Sequence, residues 1–123
     1  LGIRVLIAED EANIVESLRF ILGREGHEVS SVADGAAALA ALRSAPPPQL
    51  VILDVMLPRH SGLEVLKAMK SDPRLQPIPV LMLTAKTQPQ DRALALEIGA
   101  DAYVTKPFSN RDIVLLVQRL GAG

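Results

Sequence analysis

The sequence contains no cysteine, which excludes disulfide staples and thiolate metal sites and leaves a reducing compartment open. Aromatics are almost absent. Phe20, Tyr103 and Phe108 are the whole set, too few for the base-stacking platforms that grip single-stranded nucleic acid. A formal net charge of −1 implies no broad basic surface, so direct nucleic-acid binding is not expected. No apolar run approaches the ~20 residues of a membrane span. The opening Leu1-Gly2-Ile3-Arg4-Val5 is not a signal peptide, because it runs straight into a strand pattern. Its first residue is not Met, as expected of a processed, trimmed or excised chain. What is present, 49% hydrophobic and 22% charged residues in a chain of 123, fits one globular domain over 1–123.

Apolar periodicity organises the chain. Leu50-Val51-Ile52-Leu53 is an unbroken apolar run, read as a strand buried on both faces. Such a strand tolerates a charge only at its end, where Asp54 stands. Ile3 to Ala8 and Val80 to Leu83 read the same way, the first followed by Glu9-Asp10-Glu11 and the second by Thr84. Glu28 to Ala33 is mixed in polarity, and Ala102-Tyr103-Val104 is short and leads to Thr105-Lys106-Pro107; both suit sheet edges. Between the strands, helical spacing appears from Ala12 to Leu22, Ala36 to Arg43, Leu63 to Met69, Gln88 to Ile98, and after a Ser109 cap through Ile113, Leu116, Val117 and Leu120. Gly23 or Gly26 is expected to end the first helix and Gly99 the fourth. Pro46-Pro47-Pro48 forms a stiff connector.

Five strands alternating with five helices predict an α/β fold, a doubly wound (βα)5 parallel five-stranded sheet with helices on both faces. Placing the apolar strands centrally and the polar and short ones at the edges gives the order 2-1-3-4-5. Its switch point lies between the first and third strands, where ligands bind beyond the carboxyl ends.

In that order Glu9, Asp10, Asp54, Thr84 and Lys106 converge on one crevice. Clustered carboxylates repel unless a cation neutralises them or one takes a proton. Oxygen donors without His or Cys point to a hard cation, Mg²⁺ before Ca²⁺. A lysine and a hydroxyl alongside suit phosphoryl oxygens. The set therefore reads as a site for phosphoryl transfer onto Asp54, with Glu9 and Asp10 holding the metal and Lys106 and Thr84 completing the cage.

The motifs Ile7-Ala8-Glu9-Asp10-Glu11, Val51-Ile52-Leu53-Asp54-Val55-Met56-Leu57-Pro58, Leu83-Thr84-Ala85 and Tyr103-Val104-Thr105-Lys106-Pro107-Phe108 resemble a two-component response-regulator receiver domain across nearly the whole chain. That family has the 2-1-3-4-5 order, so the order is not an independent result. The resemblance implies a cytoplasmic, phosphorylation-dependent switch rather than an enzyme acting on an external substrate. Asp54 would be phosphorylated by a histidine kinase or histidine phosphotransfer domain, and the protein would control an output domain or partner. It further implies Mg²⁺ held by Glu9, Asp10, Asp54 and the Met56 backbone carbonyl. Thr84 and Tyr103 are then switch residues that remodel the face of the fourth helix, last strand and last helix, and the Lys106-Pro107 bond is cis.

Met56 and Lys86, two residues beyond Asp54 and Thr84, are neither acids nor amides that position water, so slow self-dephosphorylation is expected. The final helix carries Leu115-Leu116-Val117 where dimerising DNA-binding subfamilies place charges, so any dimer through this face is expected to be apolar. His27 and His60 read as exposed turn or strand-end residues without a metal set, and Glu11 as a first-turn helix acid. A flavin carrier would need a Ser/Thr/Gly-rich loop after the first strand, and a haloacid-type phosphatase a second Asp at position 56. The chain has neither. A receiver-like module that is never phosphorylated would be expected to lack an acid or the lysine, and here all are present.

Overall fold

The computed structural model describes residues 2–44 and 46–122. Leu1 and Gly123, the ends of the expected 1–123 domain, lie outside the described residues. Five strands alternate with five helices: β1 (Arg4–Ala8), α1 (Ala12–Arg24), β2 (Glu28–Val32), α2 (Gly35–Arg43), β3 (Leu50–Asp54), α3 (Gly62–Lys70), β4 (Val80–Ala85), α4 (Pro89–Ile98), β5 (Ala102–Lys106) and α5 (Asn110–Ala122). All strands pair in parallel, in the expected order β2-β1-β3-β4-β5.

The period-2 alternation of a strand splits the core into two layers. Val5 and Ile7 of β1, Leu50 and Ile52 of β3, and Leu81 and Leu83 of β4 pack with Leu18, Ile21 and Leu22 of α1 and Ile113 and Val117 of α5. The alternate residues Leu6, Ala8, Val51, Leu53, Val80 and Met82 meet α2, α3 and α4 through Ala38, Leu42, Val65, Leu66, Met69 and Ala95. Every residue of β3 is buried, which is why its sequence is uninterrupted. A fully buried Leu or Ile contributes roughly 1.5–3 kcal/mol of transfer free energy, so the sheet's centre is a rigid base. The edges β2 and β5 are only part-buried.

Element ends follow local chemistry. Gly26, at φ 91°, turns the chain after α1, where a side chain would be strained. Asp34 belongs to a cap rather than to a bare turn: its side chain accepts the Ala37 N–H at 2.7 Å, so α2 begins at Gly35, one residue earlier than the apolar pattern suggests. Ser61 and Glu64 form a capping box on α3, and Ser109 caps α5 by accepting the Asp112 N–H. The strands β4 and β5 run on through Thr84-Ala85 and Thr105-Lys106 because the ladder pairs those residues with each other; polarity alone had placed the ends earlier.

The consecutive apolar residues Leu115, Leu116 and Val117 of α5 face different ways. Val117 is fully buried, Leu116 packs against the core, and Leu115 alone is exposed. Helical geometry turns each successive side chain by about 100°, so three in a row cannot share one face. Among the described residues, no helix is long and apolar enough to cross a membrane.

Candidate functional site

Register builds the site. Ala8 of β1 pairs with Leu53 of β3, so Glu9 and Asp54 leave adjacent strands side by side. Glu9 is held by its own N–H, which donates to the Val32 carbonyl of β2. The loop after Asp54 folds back on the strand end because residue 62 is glycine. A Cβ there would fall 2.0 Å from the Asp54 carbonyl oxygen, and the Gly62 N–H instead donates to Val55 at 2.9 Å.

Glu9, Asp10 and Asp54 each present a carboxylate oxygen within 4.8 Å of the others, Glu9 and Asp54 buried and Asp10 exposed. Lys106 at the end of β5 faces them, its Nζ 2.8 Å from Glu9 Oε1 and 3.1 Å from Asp54 Oδ2. The Glu9 contact is an ion pair whose angle is not that of a hydrogen bond, so Glu9 Oε1 has charge compensation but no hydrogen-bond donor. Glu9 Oε2 accepts the Glu11 N–H at 3.0 Å. Asp54 Oδ1 accepts the Met56 N–H at 3.2 Å.

Burial pushes the Glu9 carboxyl up to about 7, against the opposing pull of Lys106 and with a further push from Asp54. Burial also disfavours the Lys106 ammonium, but its contacts with Glu9 and Asp54 outweigh that and raise its pKa. An all-oxygen set, two of its three acids buried and one oxygen lacking a donor, fits a hard divalent cation, which would replace the proton that Glu9 otherwise recruits.

The other expected residues lie differently. Thr84 is buried at the end of β4, but its hydroxyl donates across the sheet to the Val104 carbonyl at 3.4 Å rather than into the acidic cluster. Tyr103 is 38% exposed on β5, with the Arg92 guanidinium 5.4 Å from its ring centre. Met56 has an exposed side chain, so its backbone alone meets Asp54. The Lys106–Pro107 peptide bond is cis.

Two residues were misread. Glu11 is the N-cap position of α1 and makes no capping bond; its carboxylate instead lies 3.4 Å from Lys106 Nζ. Proximity to two other acids was the one signal available, since the lysine is 95 positions away. His27 is half-buried rather than exposed, and its Nδ1 accepts the Ile3 N–H at 3.1 Å. His60, by contrast, is exposed and pairs with Glu64 one turn on.

A five-stranded 2-1-3-4-5 sheet with three acids and a lysine at its carboxyl rim defines a phosphoacceptor class of signalling module. The response regulator receiver domain model matches residues 5–118, and the chain belongs to that family. It is 43% identical over 110 residues to the alkaline phosphatase synthesis transcriptional regulatory protein PhoP of Bacillus subtilis, covering 89% of this chain and 45% of that protein. It is 42% identical over 115 residues to the phosphate regulon transcriptional regulatory protein PhoB of Klebsiella pneumoniae, covering 94% and 50%. The chain thus spans about half the length of the curated relatives it matches. Among solved structures it superposes on a putative response regulator from Chloroflexus aurantiacus with a TM-score of 0.94, at 31% identity and with both chains fully covered. The receiver domain of a signal transduction histidine kinase from Syntrophus aciditrophicus gives 0.91, at 35% identity over 99% of this chain and 92% of that one. The protein is therefore a two-component signalling domain and not a classical enzyme.

Proposed function

We propose that Asp54 is the phosphoacceptor of this receiver domain, taking its phosphoryl group from the phosphohistidine of a histidine kinase or phosphotransfer domain. A carboxylate oxygen of Asp54 attacks phosphorus, the N–P bond breaks, and the electron pair and then a proton return to the donor imidazole. Glu9, Asp10, Asp54 and the Met56 carbonyl would hold Mg²⁺, which would supply positive charge to phosphoryl oxygens. Lys106 supplies a positive charge to another of those oxygens. The single observation that carries this reading is the Lys106 ammonium 3.1 Å from the Asp54 carboxylate, inside a cluster of three acids.

Thr84 and Tyr103 are the switch pair. To reach a phosphoryl oxygen the Thr84 hydroxyl gives up Val104, and the half-exposed Tyr103 ring follows, reshaping the face of α4, β5 and α5. That face carries exposed Leu94, Tyr103 and Leu115 and is where an output domain, a downstream partner or a second copy docks. Residues 1–123 act as one cytoplasmic domain. The relatives are transcriptional regulators by name, so contact with nucleic acid belongs to an output domain and not to this one. Met56 and Lys86 leave the aspartyl phosphate slow to hydrolyse.

Incubation with Mg²⁺ and acetyl phosphate, followed by intact mass, tests the reading. One phosphoryl adduct is expected, lost in Asp54→Asn and on chelation of the metal. An adduct that persists in Asp54→Asn overturns the assignment.

A further inference from the structure

Three carboxylates crowd the Lys106 ammonium: Glu9 at 2.8 Å as an ion pair, and Asp54 at 3.1 Å and Glu11 at 3.4 Å as hydrogen-bond acceptors. A phosphoryl oxygen arriving at Lys106 competes with all three for the same positive charge. Glu9 and Asp54 are buried, with 0% and 3% of their side chains exposed, whereas 62% of the Glu11 side chain is exposed and its contact is the longest. The Glu11 side chain also has no part in capping α1; its backbone is engaged, the N–H by Glu9 Oε2 and the carbonyl by the Ile14 and Val15 N–H groups. Its carboxylate is therefore the partner free to leave, and on leaving it stays at the mouth of the site as an uncompensated charge. Glu9, Asp10, Asp54 and Glu11 against one amine and one divalent cation leave the mouth one negative charge in excess, and without Glu11 the balance is neutral.

Resting on the phosphoacceptor reading above, we propose that Glu11 is a specificity-determining residue that screens the site against small anionic phosphodonors. It takes no part in the transfer itself. A free dianion such as acetyl phosphate brings little binding surface and meets the excess charge without compensation. A phosphohistidine on a protein donor arrives with contacts of its own to offset the repulsion. Glu11 thus biases the domain toward protein-borne phosphoryl groups.

The test uses labelling of the whole chain at saturating Mg²⁺, measured by intact mass against acetyl phosphate concentration. Glu11→Gln is expected to lower the half-saturating concentration about fivefold at low ionic strength, with the rate at saturation unchanged. Inorganic phosphate, which has no leaving group, serves as a binding probe, and its inhibition constant should fall by a similar factor. Phosphoramidate, carrying one negative charge fewer at neutral pH, should show a smaller gain. All these differences should shrink at about 0.5 M salt, where the screening length is only a few ångströms. Glu11→Asp keeps the charge and is expected to behave like the parent. An unchanged half-saturation and phosphate inhibition in Glu11→Gln overturn the inference, as does a fall in the saturated rate, which would make Glu11 a positioning group for Lys106. A parent chain that takes no label at all overturns the phosphoacceptor reading instead, and this inference with it.

Discussion

At the amino-terminal rim of the sheet, polar side chains finish hydrogen bonds that the ladder leaves open. His27 Nδ1 accepts the Ile3 N–H, Gln49 Oε1 accepts the Arg4 N–H, and the Arg4 guanidinium donates to the Pro47 carbonyl. At the carboxyl-terminal rim, some 15 Å away along strands of about five residues, like charges are gathered instead. Glu9, Asp10 and Asp54 crowd within 4.8 Å. One rim serves the fold and the other works against it, on the same five strands. A parallel sheet permits this division because its rigid, doubly covered centre isolates the two ends, so the stability gained between them supports the strain at one.

Removing the amine breaks that comparison most severely. Lys106→Met leaves Glu9 and Asp54 buried without their counter-charge, and stripping one partner from a buried ion pair typically costs about 3–5 kcal/mol. Since Lys106 keeps 20% exposure, a loss of about 3 kcal/mol is expected from urea unfolding in EDTA at pH 8. Added Mg²⁺ should restore most of it, because a divalent ion can stand among the same oxygens. A variant as stable as the parent in EDTA would show that the acids relax apart, and that the carboxyl rim is not strained.

Acidification sharpens the same point. The Glu9 carboxyl is raised from 4.5 in the unfolded chain to about 7 in the folded one. Between those values the folded state binds more protons than the unfolded state. Stability in metal-free buffer therefore falls as pH rises through that window, by on the order of 2 kcal/mol. Mg²⁺ competes with that proton, so its affinity should weaken as pH drops below about 7. Urea midpoints at pH 5 and pH 8, with and without the metal, check both signs. A metal-free protein more stable at pH 8 than at pH 5 contradicts the argument.

Much of the carboxyl rim was legible before any coordinates, for a physical reason. Asp54, Glu9 and Asp10 end apolar runs, and a charge that ends a buried strand has nowhere to go but the crevice beyond it. Lys106, next to a proline at a strand end, stood out in the same way. What stayed illegible depends on geometry that no local pattern encodes. The Glu11–Lys106 contact spans 95 positions. The hydrogen bond of Thr84 to Val104 is a matter of one side-chain torsion and the β4–β5 register. The packed face of α5, by contrast, was legible from the spacing of Ile113, Leu116, Val117 and Leu120. Capping was legible in principle, since Asp34 and the Ser61–Glu64 pair have the right residue types, but apolar spacing hid them by drawing attention to the helix interiors.

His27 was the plainest miss, and it offers the gentlest perturbation of the two rims. Its position after Gly26 looked like an exposed turn. Glu28 pairs with Arg4, however, so the residue before Glu28 falls opposite Ile3, where the ladder needs one more acceptor. The imidazole Nδ1 supplies it. His27→Ala leaves the Ile3 N–H half-buried and unpaired, a loss of about 1 kcal/mol. His27→Asn places an amide oxygen near the position of Nδ1 and should recover much of that loss. Neither variant should alter Mg²⁺ affinity or labelling of Asp54, because both act beside Ile3 at the start of β1, the end away from the acids. Equal destabilisation by Ala and Asn would assign His27 a packing role against α5 rather than a hydrogen-bonding one. A changed Mg²⁺ affinity would show that the two rims are coupled through β1.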